Sequence, residues 1–160
     1  MKETGFGISP GSLKKLLRIG IEYVDIGGYG GTNFVKIENQ RVNKQKRHTY
    51  LESWGIPTAV SLTECRKVSK DINIICSGGI RTGYDIIKGM KLGADLMGIS
   101  GALLRNMHYD PGNSLRKNFT TLIDQLITLM LLTGAKNIDE IRNVSLYVDS
   151  GVPKCYEQEC

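Results

Sequence analysis

Residues 72–81 read Ile72-Asn73-Ile74-Ile75-Cys76-Ser77-Gly78-Gly79-Ile80-Arg81, an apolar run that ends in a glycine turn. The arrangement recurs after one helix-length segment, where Ala94-Asp95-Leu96-Met97 precedes Gly98-Ile99-Ser100-Gly101. Strand, glycine turn and helix in this order are typical of the last two units of a (βα)8 barrel, where a phosphate rests on backbone N–H groups. Glycine lets the backbone approach the anion, and each following helix N-terminus adds partial positive charge. The two turns together therefore predict a phosphate site.

Outward from these turns, the sequence alternates between helical and strand patterns. The predicted strands cover 21–26, 72–76, 94–99 and 144–148, and residues 35–52 are predicted to be loop with a short helix. The predicted helices are 13–19 with Ser12 as N-cap, 57 to about 69, 83–92, 103–107, 113–133 with Gly134 as C-cap, and 138–142. The apolar stripe of 113–133 indicates core packing.

Length and charge set bounds on the fold and on the partners. The 160 residues predict one domain, but a complete (βα)8 barrel takes about 250 residues. The formal net charge of +5 indicates a solvated basic surface. The basic run 41–48 is interpreted as a loop in water or as a lid that attracts phosphate. Nucleic-acid binding is disfavoured because neither interleaved aromatic residues nor a recognition helix accompanies this run.

The four cysteines and the absence of a membrane signal predict a cytoplasmic protein. Cys65, Cys76, Cys155 and Cys160 form no CxxC pair, which favours reduced thiols over disulfides or a metal site. No apolar leader follows Met1, and the most apolar stretch, 122–132, is too short to span a bilayer.

Three features near the amino end are candidates for chemistry. Lys2 stands where a barrel strand would end and is suited to the N1–C2=O edge of a flavin, although an ordinary surface lysine is the alternative. The loop 27–32 holds four glycines and Thr32, which allow a flat group to lie close to the backbone, although a plain flexible loop is the alternative. Glu38 is either a proton donor or acceptor near the site or a surface carboxylate.

Five segments resemble the type II isopentenyl-diphosphate isomerases. These segments are 2–7, 25–39 with the string GYGGTNF…KIEN, 54–58, 77–81 and 98–101. The resemblance covers roughly residues 1–150 and about the second half of the family's length, and the tail 151–160 is expected to be frayed. It implies the fold class α/β, as the C-terminal half of a TIM (βα)8 barrel that binds FMN through its phosphate.

The resemblance also implies roles for individual residues. Lys2 and Thr32 would contact the FMN ring and ribityl region, Glu38 would be the catalytic carboxylate, and the phosphate would be held by Gly78, Gly79, Ile80, Arg81, Ser100 and Gly101. The implied reaction interconverts isopentenyl and dimethylallyl diphosphate on FMN that NADPH reduces, with Mg²⁺ bridging the substrate to the protein. The residues that bind this Mg²⁺ have no counterpart in the chain.

A half-barrel is expected to need a partner, because its outer strands would expose unpaired edges. A separate N-terminal half or a second copy would complete it, and a marginally stable remnant is the third outcome. Two other functions stay open. One is a non-catalytic half-barrel that binds FMN or phosphate, and the other is an oxidoreductase barrel, which is disfavoured because Cys76 lies inside a strand before the glycine turn.

Overall fold

A three-stranded parallel sheet forms the centre of the molecule. The computed structural model describes residues 1–42, 47–109 and 112–147. The strands are β1 (Tyr23–Asp25), β2 (Asn73–Ser77) and β3 (Leu96–Gly98), in the spatial order β1-β2-β3. All three pair in parallel, with Val24 opposite Ile74 and Cys76 opposite Met97. Lys2 forms a further parallel bridge to Asp25, so the chain start occupies a fourth strand position.

The connections between neighbouring strands are helical, as parallel pairing requires. The helices are α1 (Pro10–Arg18), α2 (Phe34–Arg41), a 3-10 helix (Thr49–Leu51), α3 (Thr58–Val68), α4 (Gly83–Lys91), α5 (Gly101–Tyr109), α6 (Asn113–Thr133) and α7 (Ile138–Asn143). The predicted order of elements up to α7 is confirmed, and α6 has the predicted bounds. Gly134 ends α6 in the left-handed conformation with φ of 73°, as predicted.

Two apolar clusters hold these elements together. The larger one lies between the sheet and helices α1 and α3, and its fully buried members include Leu13, Val24, Leu62 and Ile74. The smaller one, around Ile87, Ala135 and Ile141, joins α4, α6 and α7. Strands β1 and β2 are short and mostly apolar because one face of each packs directly on the larger cluster.

The first helix begins earlier than the sequence indicated. Ser9, rather than Ser12, is its N-cap, and the Ser9 side chain accepts a hydrogen bond from the Ser12 backbone N–H at 3.1 Å. Pro10 is the first helical residue, where its fixed φ suits the helix and its missing N–H is not needed. The prediction placed Pro10 and Gly11 outside the helix and was wrong by three residues.

The strand predicted at 144–148 is not present in the part of it that the structure describes, residues 144–147. Val144 is the C-cap of α7, and its backbone N–H donates to the Ile141 carbonyl at 3.2 Å. Its side chain packs on the smaller apolar cluster. The apolar pattern that suggested a strand therefore reflects burial beside α7, and residue 148 lies outside the described residues.

Two predicted segments lie partly or wholly outside the described residues. Residues 43–46 of the basic run 41–48 are outside them, and so is the whole tail 151–160 with Cys155 and Cys160. Among the helices that the structure does describe, none combines the length and apolar character needed to cross a membrane.

Candidate functional site

A cleft of about 320 Å³ opens where β1, β2 and β3 end. Its volume falls in the range of about 300–1,000 Å³ that is typical of small-molecule sites. The carboxyl ends of parallel strands meet at one edge of the sheet, so the loops that follow them come together there. The cleft is lined by residues of 2–5, 27–34, 77–81 and 98–105.

The structure brings together most of the residues that the sequence singled out. The cleft lining includes Lys2, Thr32, Gly78, Gly79, Ile80, Arg81, Ser100 and Gly101. Glu38 is not part of this lining. It lies on α2 with its side chain 60% exposed, and its carboxylate accepts a hydrogen bond from Arg41 at 3.3 Å. The functional roles of all these residues stay predictions.

The turn after β2 packs tightly on the glycine loop after β1. The Gly28 N–H donates to the Ser77 carbonyl at 2.8 Å, and the Thr58 hydroxyl donates to the Gly78 carbonyl at 2.6 Å. Gly78 and Gly79 have φ of +103° and +84°, a region that side chains disfavour. A Cβ on Gly78 would overlap the backbone of Gly28, so glycine is required here for conformation and for space.

Two backbone donors of this turn, in residues that line the cleft, have no acceptor within the described part of the chain. Within residues 1–42, 47–109 and 112–147, the amides of Gly79 and Ile80 donate to no backbone or side-chain oxygen. Both residues line the cleft and are half-buried. Since backbone donors away from bulk water are normally paired, these N–H groups are suited to an anion such as a phosphate.

The N-terminus of α4 differs from the prediction, because it is already occupied by side chains of the chain itself. Asp85 accepts from the backbone N–H groups of Arg81 at 3.1 Å and Thr82 at 3.0 Å, which completes a capping box. The Gly83 N–H donates to the Gln125 side chain at 2.7 Å. Gly101, the first residue of α5, lines the cleft, whereas the Arg81 N–H donates within the α4 cap, so that the side chain is the part of Arg81 left for an anion.

The charge of the cleft favours an anion. Of the described residues that line it, Lys2, Arg81 and Arg105 are cationic and Glu3 is anionic. The Arg81 guanidinium also donates to the Gly30 carbonyl at 3.3 Å, which ties it to the glycine loop. Sequence reasoning missed Arg105. Its spacing from Gly101 was the available signal, because residues four apart share one face of a helix.

Both described cysteines are buried free thiols. Burial, followed by the neighbouring negative charge of Asp25, raises the pKa of Cys76 to about 12. Burial is also the main cause that raises the pKa of Cys65 to about 11. Since the thiolate is the nucleophilic form, neither side chain is suited to covalent catalysis.

Comparisons with known proteins relate the chain to isopentenyl-diphosphate delta-isomerases. The chain is 39% identical over 148 residues to the isopentenyl-diphosphate delta-isomerase of Geobacillus sp. (strain WCH70), covering 92% of this chain and 42% of that protein. It is 40% identical over 148 residues to the enzyme of the same name from Bacillus pumilus (strain SAFR-032), covering 92% of this chain and 41% of that protein. The chain thus spans about two-fifths of the length of the curated relatives it matches. The resemblance read from the motifs is confirmed.

The fold is shared with larger proteins of lower sequence similarity. A crystal structure of lactate oxidase from Pediococcus acidilactici superposes with a TM-score of 0.68 at 20% identity, covering 88% of this chain and 34% of that one. The family model described as FMN-dependent dehydrogenase matches residues 50–148, which include the glycine turns after β2 and β3. The chain therefore belongs to the FMN-dependent dehydrogenase family.

Proposed function

We propose that this chain binds FMN in the cleft and contributes the flavin site of an isopentenyl-diphosphate isomerase. The observation that carries the proposal is the convergence of the two glycine turns, with their free backbone donors, on the same cleft as Lys2 and Thr32. The similarity to enzymes named isopentenyl-diphosphate delta-isomerase supports the reaction type.

The residues of the cleft fit FMN at both of its ends. The amides of Gly79 and Ile80, the N-terminus of α5 at Gly101 and the side chains of Arg81 and Ser100 would hold the phosphate. The backbone of the glycine loop and the Thr32 hydroxyl would support the ribityl chain and the ring. The Lys2 ammonium would stand beside the ring edge, where negative charge collects on reduction.

Reduced FMN, when bound, supplies the acid–base chemistry that moves the double bond of an isoprenyl diphosphate. This chain's part is to bind and orient the flavin, and to place cationic charge near the developing negative charge. We propose Glu38 as the acid–base residue of the protein. NADPH is the proposed reductant, and the proposed Mg²⁺ would be held by the substrate diphosphate and by residues outside this sequence.

The sheet supports a partial (βα)8 barrel over residues 1–150 that requires a complement. Within the described residues it has three paired strands and a fourth strand position at Lys2, whereas a closed barrel of this type has eight strands. We propose that residues outside this sequence, or a second copy of it, supply the other four strands. The alternative function is a flavin- or phosphate-binding half-barrel without turnover, which the small number of strands in the described sheet favours.

The flavin site is tested by comparing FMN with riboflavin, which lacks the phosphate. We expect FMN to bind and Arg81→Ala to weaken its affinity roughly 10- to 100-fold, the range for loss of a charge-assisted hydrogen bond, with riboflavin affinity unchanged. Quenching of flavin fluorescence measures both. Arg41→Ala is the matched control, because Arg41 pairs with Glu38 outside the cleft. Absence of FMN binding to the unmodified chain would refute the flavin site.

Isomerase activity is tested separately, with NADPH and Mg²⁺ present. Conversion of isopentenyl diphosphate is measured for the chain alone and with the part of the Geobacillus enzyme that lies outside the matched region. Glu38→Gln should lower the rate and leave FMN affinity unchanged, because this carboxylate does not line the cleft. FMN binding without turnover in either preparation would favour the non-catalytic alternative.

A further inference from the structure

One carboxylate beneath the cleft joins three of the segments that form it. Asp25, the last residue of β1, has a side chain that is 13% exposed. Its Oδ2 accepts from the Lys2 ammonium at 2.7 Å, and its Oδ1 accepts from the Ser77 hydroxyl and from the Gly27 N–H at 3.0 Å. Lys2, Gly27 and Ser77 line the cleft, whereas Asp25 is not part of the lining.

Lys2 has little else to fix its position. Its side chain is 63% exposed, and a lysine stem is flexible enough to leave the cleft for water. Apart from Asp25, the described residues offer its ammonium one acceptor, the Ser77 hydroxyl at 3.4 Å. That hydroxyl is in turn oriented by Asp25. Both contacts that hold the ammonium at the cleft floor therefore depend on the same carboxylate.

We propose that Asp25 is a positioning residue, which holds the Lys2 ammonium in the cleft so that its charge acts on the ring of the bound flavin. This inference rests on the proposed FMN site. Asp25 itself does not touch the ligand, and it acts through Lys2. A nearly buried carboxylate is costly unless it is paired, so its charge is balanced by the same ammonium that it holds in place.

The direction of the flavin potential distinguishes this role from simple electrostatics. Removing a nearby negative charge would by itself stabilise reduced FMN and raise its midpoint potential. Release of Lys2 from the cleft has the opposite effect, because a cation beside the ring edge stabilises the reduced form. We therefore expect Asp25→Asn to lower the potential, in the same direction as Lys2→Met. A rise in the potential would overturn the proposal.

A double-mutant cycle on FMN affinity provides the second readout. Asp25→Asn keeps an oxygen that can accept from Gly27 and Ser77, and it removes the charge that pairs with Lys2. We expect it to weaken FMN binding about 10-fold in the unmodified chain and to have almost no effect in the Lys2→Met background. Equal losses in both backgrounds would indicate a purely structural residue and would overturn the proposal.

Two further variants keep the test interpretable. Asp95→Asn is the matched control, since Asp95 pairs with Arg66 at 2.7 Å away from the cleft, and it should leave the potential unchanged. If Asp25→Asn does not fold, Asp25→Glu retains the charge but displaces it, and its potential should lie between those of the unmodified chain and Lys2→Met. A potential equal to that of the unmodified chain would count against positioning. Failure of the unmodified chain to bind FMN would overturn the FMN site together with this inference, whereas the outcomes above leave the FMN site intact.

Discussion

Among the described residues, Cys76 has the pKa that its surroundings raise most. It is 2% exposed at the end of β2, and burial with the nearby Asp25 charge raises its pKa from 9.0 to about 12. Cys65 is fully buried, with a pKa of about 11. The protonated thiols behave as small apolar side chains, and both belong to the larger apolar cluster.

These pKa values predict slow thiol modification in the folded protein. At pH 8 about 10% of a thiol with a pKa of 9.0 is thiolate, whereas a pKa of about 12 leaves only about 0.01% of Cys76 in that form. Disulfide reagents should therefore react slowly. The rate should keep rising above pH 9 instead of levelling off, because the raised pKa delays thiolate formation. The measurement uses a Cys155→Ser/Cys160→Ser background with a guanidinium-unfolded control. Rapid modification of the native chain at pH 8 would contradict the burial of both thiols.

At the scale of elements, the start of α4 is stabilised within the chain rather than by a ligand. The Thr82 side chain accepts from the Asp85 N–H at 3.2 Å, and the Asp85 carboxylate accepts from the backbone N–H groups of Arg81 and Thr82. An acidic residue in the first turn also complements the helix dipole. This cap fixes the exit of the glycine turn and so sets where the Arg81 side chain enters the cleft.

Asp85→Ala should therefore destabilise the protein and weaken the flavin site together. Loss of the capping box is expected to lower the free energy of unfolding by roughly 1–2 kcal/mol. FMN affinity should fall as well, because Arg81 loses the hydrogen bond that fixes its backbone. Urea unfolding and fluorescence titration measure the two effects. Asp71→Ala is the control, since Asp71 is exposed, and a similar loss in that variant would argue against the cap.

At the scale of the whole molecule, apolar side chains are exposed on α6 and on the outer strand β3. Ile123, Ile127 and Leu131 share one face of α6 and are 54%, 52% and 77% exposed. Leu96, on the outer strand β3, is 58% exposed. An open strand edge beside exposed apolar residues is a surface that other chains can pair with.

We expect a complementary half to cover these surfaces. Adding the part of the Geobacillus enzyme outside the matched region should raise the midpoint of thermal unfolding and reduce binding of an apolar dye, because apolar area is buried. Leu96→Lys should weaken this association, whereas Ile19→Lys, at an even more exposed apolar site at the end of α1, should not. Sedimentation of the chain alone reports whether a second copy takes the same place. Unchanged stability on mixing would argue against a complementary half.

The sequence by itself determined the order of elements up to α7 and most of the residues that line the cleft. A glycine turn directly after an apolar run lies at the carboxyl end of a strand. Because parallel strands bring their carboxyl ends to one edge of the sheet, such turns are expected to lie close together. The conformations of Gly78 and Gly79 are local properties of the turn, so their place beside the cleft could be predicted residue by residue, whereas the binding of a phosphate there stays a prediction. Cys76 in its strand and Gly134 at the end of α6 were predictable for the same reason.

Only the tertiary structure decided which donors are left for a ligand. Asp85 occupies the N-terminus of α4, the place of Arg105 beside the cleft depends on how α5 packs, and Glu38 faces Arg41 outside the lining. The pairing of Asp25 with Lys2 and Ser77 joins residues far apart in the chain. Such contacts depend on strand register and helix packing, which no single stretch of sequence encodes.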